Sequence, residues 1–256
     1  MKSLATLGCL IVLGCGGTTA KPQAPEPTPL ASPNAPTEAV ADSARPAADI
    51  ARDEHRKPFE TIALTKMAPG MTVVDLMAGG GYFSELFAET VGSQGTVYVQ
   101  NTPLVLEKFA EGPITKRLAR MNRSWVKRWD KNLDALDLPA GEIDVAFLGL
   151  FYHDAFWMEV DRAKMNAAIL VGLKPGGLFV VTDHHAEAGS KDRDVKTLHR
   201  VDVEVVKGEL VAAGFELVEE SDLLSHPDDP RTANVFEETI RGKTDRFVLV
   251  LRKPTE

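Results

Sequence analysis

The run Val73-Val74-Asp75-Leu76-Met77-Ala78-Gly79-Gly80-Gly81-Tyr82-Phe83-Ser84 decides how the rest of the chain is read. Its first residues are β-branched or apolar around one acid, as in a buried strand, and three consecutive glycines then break the pattern. From Tyr82 to Val91 the apolar residues Phe83, Leu86, Phe87 and Val91 recur at helical spacing, so the order is strand, tight turn, helix. A helix start leaves backbone N–H groups unpaired and points the positive end of its dipole at the turn. Beside the carboxylate of Asp75, three residues without a Cβ let a bound molecule approach the main chain at the sheet edge where open α/β folds take ligands. The dinucleotide fingerprint G-x-G-x-x-G is not met, because Ser84 stands where its last glycine belongs.

Outward from this unit, strands alternate with helix-length segments. Thr96 to Gln100 reads as a second strand, and a basic amphipathic stretch from Leu104 to Trp129 carries two or more helical turns. Ile143 to Leu148 is apolar enough for a strand covered on both faces. A helix from Met165 to Leu173 stops at Lys174-Pro175-Gly176-Gly177, and Leu178 to Thr182 forms the next strand. Arg200 to Ala213 is a helix ended by Gly214, followed by strands Phe215 to Glu220 and Arg246 to Arg252. The expected fold class is α/β: a doubly wound, largely parallel sheet with an antiparallel last strand, in one domain spanning residues 50–256.

The first fifty residues have a different character. Lys2, the apolar run Leu4 to Leu13 and Gly14-Cys15 have the proportions of a signal peptide, and the run is too short to span a bilayer. Val12-Leu13-Gly14-Cys15 resembles a bacterial lipobox, which makes residues 1–15 a lipoprotein-type leader and Cys15 the lipidation site. An uncleaved leader is the alternative. Residues 16–49 hold seven of the chain's sixteen prolines and read as a disordered Pro/Ala-rich linker. Lipid, stalk and domain in that order predict a protein tethered on the periplasmic side of a bacterial membrane, touching it only through the anchor; without processing the location is cytoplasmic. Cys9 and Cys15 are the only cysteines, so the body has neither disulfides nor a cysteine metal site. The net charge of −8 argues against nucleic acid as a partner, because that binding displaces counterions with a surplus of Lys and Arg.

The motif around Asp75 resembles motif I of class I S-adenosylmethionine-dependent methyltransferases, D-x-G-x-G-x-G. Further matches follow in that family's order: Asp134-Ala135 with Leu138-Pro139, Asp144-Val145-Ala146-Phe147-Leu148, and Leu173-Lys174-Pro175-Gly176-Gly177. Within the superfamily the chain is similar to a bacterial branch of predicted methyltransferases, through Tyr152-His153-Asp154 and the tail Arg241 to Phe247. The resemblance implies a Rossmann-like fold, S-adenosylmethionine as cofactor and a small-molecule methyl acceptor. By the same resemblance Asp75, Ala78, Gly79 and Gly81 line the amino acid end of the cofactor, Gln100 its ribose and Asp134 its adenine amine. Met77 replaces the first glycine of the motif, and Gln100-Asn101 stand where the family carries an acid.

Methyl transfer to a hydroxyl or amine needs a group that takes a proton. His153, Asp154 and His184 follow strands at the ligand edge and are the catalytic candidates; adjacent His184 and His185 point to opposite faces, so at most one of them faces the site. A metal set drawn from Asp183, His184 or His185 and His153 is the weaker reading, and no metal is assigned. Lys116, Arg117, Arg120, Arg123, Lys127 and Arg128 are expected to form a basic helix face. The leading function is a methyltransferase; the alternative is a non-catalytic, lipid-anchored ligand-binding module on the same fold. The oligomeric state is open.

Overall fold

A computed structural model describes Met1 and residues 45–255. The chain divides into two units, Met1–Ala31 and Ser32–Glu256, and residues 45–255 lie in the second. The leader, Cys15 and nearly all of the Pro-rich segment therefore fall outside the described residues. Among the described residues no helix is long and apolar enough to cross a membrane.

Seven strands form one sheet in the order β3-β2-β1-β4-β5-β7-β6. They are β1 (Thr72–Leu76), β2 (Thr96–Asn101), β3 (Val126–Asp130), β4 (Ile143–Gly149), β5 (Leu173–His184), β6 (Glu216–Ser221) and β7 (Arg246–Arg252). β1 to β5 are mutually parallel, and β7 inserts antiparallel between β5 and β6. Chain order runs outward from β1 in one direction and from β4 in the other. This reversal opens a crevice at the carboxyl ends of β1 and β4, where doubly wound folds bind ligands.

Alternation along the central strands builds two apolar layers. Val74, Leu76, Ala146 and Leu148 join a cluster with Tyr152, Met165 and Phe247 on one face. Val73, Val145 and Phe147 pack with Leu86, Phe87 and Ile114 on the other. Each fully buried side chain of this size contributes about 1.5–3 kcal/mol. The helix Tyr82–Val91 covers the second face, as its apolar spacing requires. The helix Val203–Ala212 starts at Asp202, whose carboxylate accepts from Glu204 N–H at 3.1 Å.

Three expectations are corrected. The stretch Leu104 to Trp129 carries the expected helical turns in Glu111–Met121, but Lys127 and Arg128, expected on the same basic helix face, lie in Val126–Asp130, which pairs with β2 as an edge strand. Lys127 and Arg128 hid it, since edge strands carry charge rather than an apolar run; its anchors are Trp129, packed on Tyr98 at 5.0 Å, and the Trp129 indole N–H donating to Leu136 O at 2.6 Å. Second, the Lys174-Pro175-Gly176-Gly177 turn lies inside β5 as an irregularity, with Ile143 opposite Leu173 and then Val145 opposite Leu178. Third, the packed body begins upstream of Ile50: Ala47–Ile50 is helical, and Arg45 and Asp49 are buried.

Candidate active site

A cavity of about 560 Å³ opens at the carboxyl ends of β1 and β4. Asp75, Ala78 and Gly79 line it from the β1 turn, His153 and Asp154 from the segment after β4, and His184 from the end of β5. The structure thus brings together six of the nine residues that the sequence nominated for cofactor binding and catalysis.

Asp75 is buried, and its carboxylate accepts a hydrogen bond from the Ser84 hydroxyl. Burial pushes its pKa up to about 7, against the opposing pull of Ser84 and the nearby charges of Arg56 and Arg117. Beyond it the turn uses left-handed backbone at Met77 (φ 49°), Gly79 (φ 57°) and Gly81 (φ 79°). Met77 therefore keeps the conformation that glycine adopts freely and bears the strain, about 1–2 kcal/mol, of a side chain there. A Cβ on Gly79 would meet nothing within 4 Å, so the main chain lies bare to the cavity. A Cβ on Gly81 would lie 2.8 Å from Ile114 Cδ1; this glycine serves close packing at the helix start and does not line the cavity.

Gln100 takes a different place from the one expected. It is fully buried and absent from the cavity wall. Its Oε1 accepts from Met77 N–H at 2.9 Å and its Nε2 donates to Lys131 O at 2.7 Å. Asn101 brackets the turn next door: Gly79 N–H donates to its Oδ1 at 2.8 Å, and its Nδ2 donates to Gly79 O at 3.1 Å. Both amides hold the turn's shape rather than facing a ligand. An amide can bracket a peptide because it both donates and accepts, which a carboxylate cannot do. Asp134 sits exposed in the turn Leu133–Ala135 and does not line the cavity either.

His153 is buried between two carboxylates, with Nδ1 2.7 Å from Asp183 and Nε2 3.1 Å from Asp154. Its backbone N–H also donates to Asp183 at 2.8 Å. Burial alone would lower its pKa, but the carboxylates of Asp183 and Asp154 raise it to about 10, so at neutral pH the ring is an imidazolium. His184 has the opposite character. Its Nδ1 lies 2.8 Å from the Thr244 hydroxyl, and burial with the neighbouring charges of His153 and Arg246 holds its pKa well below the ordinary value. It is a neutral imidazole at the cavity wall. His185 turns away and packs edge-on to Phe247 at 5.1 Å, as strand alternation requires.

His199 adds a third imidazole, with Nδ1 3.2 Å from Asp154. Ligand atoms of His153, Asp154 and His199 lie within 4.8 Å of one another, a spacing wide enough for a cation and equally met by the hydrogen bonds present. This set differs from the Asp183-based one that the sequence suggested: both oxygens of Asp183 are engaged by His153, and Oδ1 also accepts from His184 N–H. The expected basic helix face is largely neutralised. Arg117 pairs with Asp49 and Glu85, Arg120 with Glu85, Arg123 with Glu89, and Arg128 with Glu111 and Asp130. Sequence reasoning passed over Arg52, Arg56 and Phe236, which also line the cavity. They come from segments far from the glycine turn, and no local pattern marks them.

No family model matches the chain. The chain is 27% identical over 171 residues to the ubiquinone/menaquinone biosynthesis C-methyltransferase UbiE of Shewanella oneidensis, covering 66% of this chain and 65% of the relative. It thus spans just under two thirds of the length of the curated relatives it matches. A SAM-dependent methyltransferase from Aquifex aeolicus superposes with a TM-score of 0.56 at 14% identity, covering 78% of this chain and 97% of that one. The [4+2]-cyclase SpnF superposes with a TM-score of 0.60 at 18% identity, covering 79% and 81%. The seven-stranded sheet with its antiparallel penultimate strand is therefore the α/β fold of solved SAM-dependent methyltransferases, a scaffold that also carries a cyclase.

Proposed function

We propose that the protein is an S-adenosylmethionine-dependent methyltransferase acting on a small-molecule acceptor. The observation that carries this reading is a single cavity holding a buried acid, a bare glycine turn and a neutral histidine. The residues fit the cofactor: among the described residues the Asp75 carboxylate is hydrogen-bonded only to Ser84 and can take an ammonium group, while Ala78 and Gly79 leave room along the main chain. The cofactor supplies an electrophilic methyl group. The chain supplies the rest. Asp75 holds the amino acid end, and the walls of Phe83 and Phe147 exclude water from it. His184, uncharged, accepts the acceptor's proton. His153, already bonded through both ring nitrogens, fixes the position of Asp154 rather than acting as a base.

Calorimetric titration of the purified protein with S-adenosylmethionine and its demethylated product tests the reading. Micromolar binding that disappears in Asp75→Ala is the expected outcome. The inward-turned Gln100 favours a second reading, a ligand-binding module without catalysis, since it removes the side chain expected at the ribose. Absence of heat at millimolar cofactor would support that module and overturn the enzyme. The location at the cell envelope through lipid on Cys15 is part of the same proposal, and a lipid label sensitive to globomycin and lost in Cys15→Ala is its test. An exported enzyme would also need its charged cofactor delivered across the membrane.

A further inference from the structure

A second cavity of about 330 Å³ adjoins the first and shares with it Arg52, Arg56, Leu150, His184, Val235 and Phe236. Arg241 and Arg246 complete its basic lining, and among the described residues no carboxylate lines it. On a chain of net charge −8 such a concentration of arginine needs a cause. Elsewhere the interior arginines meet acids: Arg45 pairs with Asp53, Arg117 with Asp49 and Glu85, and Arg200 with Asp229.

Arg56 and Arg246 do not. Arg246 is 4% exposed, and among the described residues its guanidinium donates only to the carbonyls of Thr244 and His55. The Arg56 guanidinium lies 4.7 Å from the Tyr82 ring, with no hydrogen bond or ion pair to a carboxylate among the described residues. A guanidinium drawn from water without a carboxylate bonded to it is costly: burial lowers the pKa of both, reinforced by Arg52 beside Arg56 and by Arg56 beside Arg246, to about 10 for Arg246, against weaker pulls from Asp49 and Asp75 on the one and Asp245 on the other. Planar guanidinium groups are the side chains best shaped to take carboxylate or phosphate oxygens in pairs.

We propose that Arg56 and Arg246 form an anion-binding subsite that holds the carboxylate or phosphate group of the methyl acceptor. Identification of the anion with the acceptor rests on the methyltransferase reading; the subsite itself does not. The apolar walls Leu150, Val235 and Phe236, the last 59% exposed, fit an acceptor with an apolar body and an anionic end. Held by that end, the molecule would extend past His184, which lines both cavities.

Inorganic phosphate and benzoate are the probes, titrated calorimetrically into the full chain, into Arg56→Gln and Arg246→Gln, and into Arg252→Gln, whose charge pairs with Glu216 on the surface. The expected result is binding weakened at least tenfold in Arg56→Gln and Arg246→Gln, and unchanged in Arg252→Gln. Circular dichroism checks the fold, and Arg56→Lys, which keeps the charge, should recover phosphate more than benzoate. Equal affinities in all variants, or no binding of either probe to the wild type, would overturn the subsite. The cofactor's own carboxylate is the competing source of the anion. If Arg56 and Arg246 hold that group, both glutamine variants weaken S-adenosylhomocysteine tenfold and spare 5′-methylthioadenosine, which lacks it; this too overturns the assignment to the acceptor. Asp75→Ala should leave phosphate binding intact, so loss of the cofactor site and loss of the subsite are read separately.

Discussion

The two ends of the site are built in opposite ways. At one end, ten consecutive residues from Asp75 to Ser84 make an acid, a bare turn and a helix start, and the amides of Gln100 and Asn101 lock them from the adjacent strand. At the other, Arg246 reaches across 191 positions to the carbonyl of His55, and the wall exists only once the sheet has closed. The local end is set by backbone conformation; the assembled end is set by where charge is left uncompensated. Perturbations should separate them.

The largest effect is expected far from the glycine turn. Arg200 and Asp229 are a buried pair, 2.8 Å apart, and Arg200 also donates to Ala233 O and His185 O, tying the segment before Phe236 to the end of β5. Asp229→Ala leaves that guanidinium without its partner and should destabilise the protein by about 3–5 kcal/mol in urea unfolding. A loss below about 1 kcal/mol would mean that this wall does not depend on the pair.

The glycine turn allows a sharper contrast. Gly81→Ala combines a left-handed backbone with a contact at 2.8 Å and should cost about 2–4 kcal/mol of stability. Gly79→Ala meets only the backbone strain, about 1 kcal/mol, yet places a methyl group on the cavity wall. Its cost should appear mainly in cofactor affinity. Equal stability losses in urea would contradict the division between packing glycine and cradle glycine.

Removing the acid acts on binding. Asp75→Asn should weaken S-adenosylmethionine by roughly 10- to 100-fold, as expected for losing a charge-assisted hydrogen bond worth about 1.5–3 kcal/mol. The smallest effect is a pH dependence. Because burial raises Asp75 to about 7, with Arg56 and Arg117 as the facing cations, the carboxylate forms between pH 6 and 8. Cofactor affinity should rise over that interval by about tenfold and flatten in Asp75→Asn. Stability runs the other way: a carboxyl group whose folded pKa is raised stabilises the fold below its unfolded value near pH 4, and that contribution fades as pH climbs through 7. Asp75→Asn should remove this slope from the urea midpoint.

What the sequence revealed follows the same division. β1, the helix Tyr82–Val91 and β7 have the expected bounds within one residue, because their periodicity is local and unbroken. β3 escaped notice because an edge strand bearing Lys127 and Arg128 carries no apolar run. That Asp75, Ala78 and Gly79 line a cavity was legible from the strand-turn-helix pattern, and that His153, Asp154 and His184 share it from their places after strands. The inward turn of Gln100 was not, since which face a strand-end side chain takes depends on the register of β2 against β1 and on a carbonyl, that of Lys131, beyond the next strand. Nor was the contrast between an imidazolium at position 153 and a neutral ring at position 184, which arises from two carboxylates meeting one histidine and from burial, with the charges of His153 and nearby arginines, around the other.

The reversed direction of β7 has a practical consequence. Its first residue, Arg246, stands opposite His184 at the ligand edge, whereas Lys253 exchanges hydrogen bonds with Gly176 and Gly177 at the other margin. An affinity handle or fluorophore joined after Lys253 would thus leave the mouth of the crevice open, and immobilisation through it would present the arginine wall to solution. The same label placed between Ser225 and Asp245 would obstruct it.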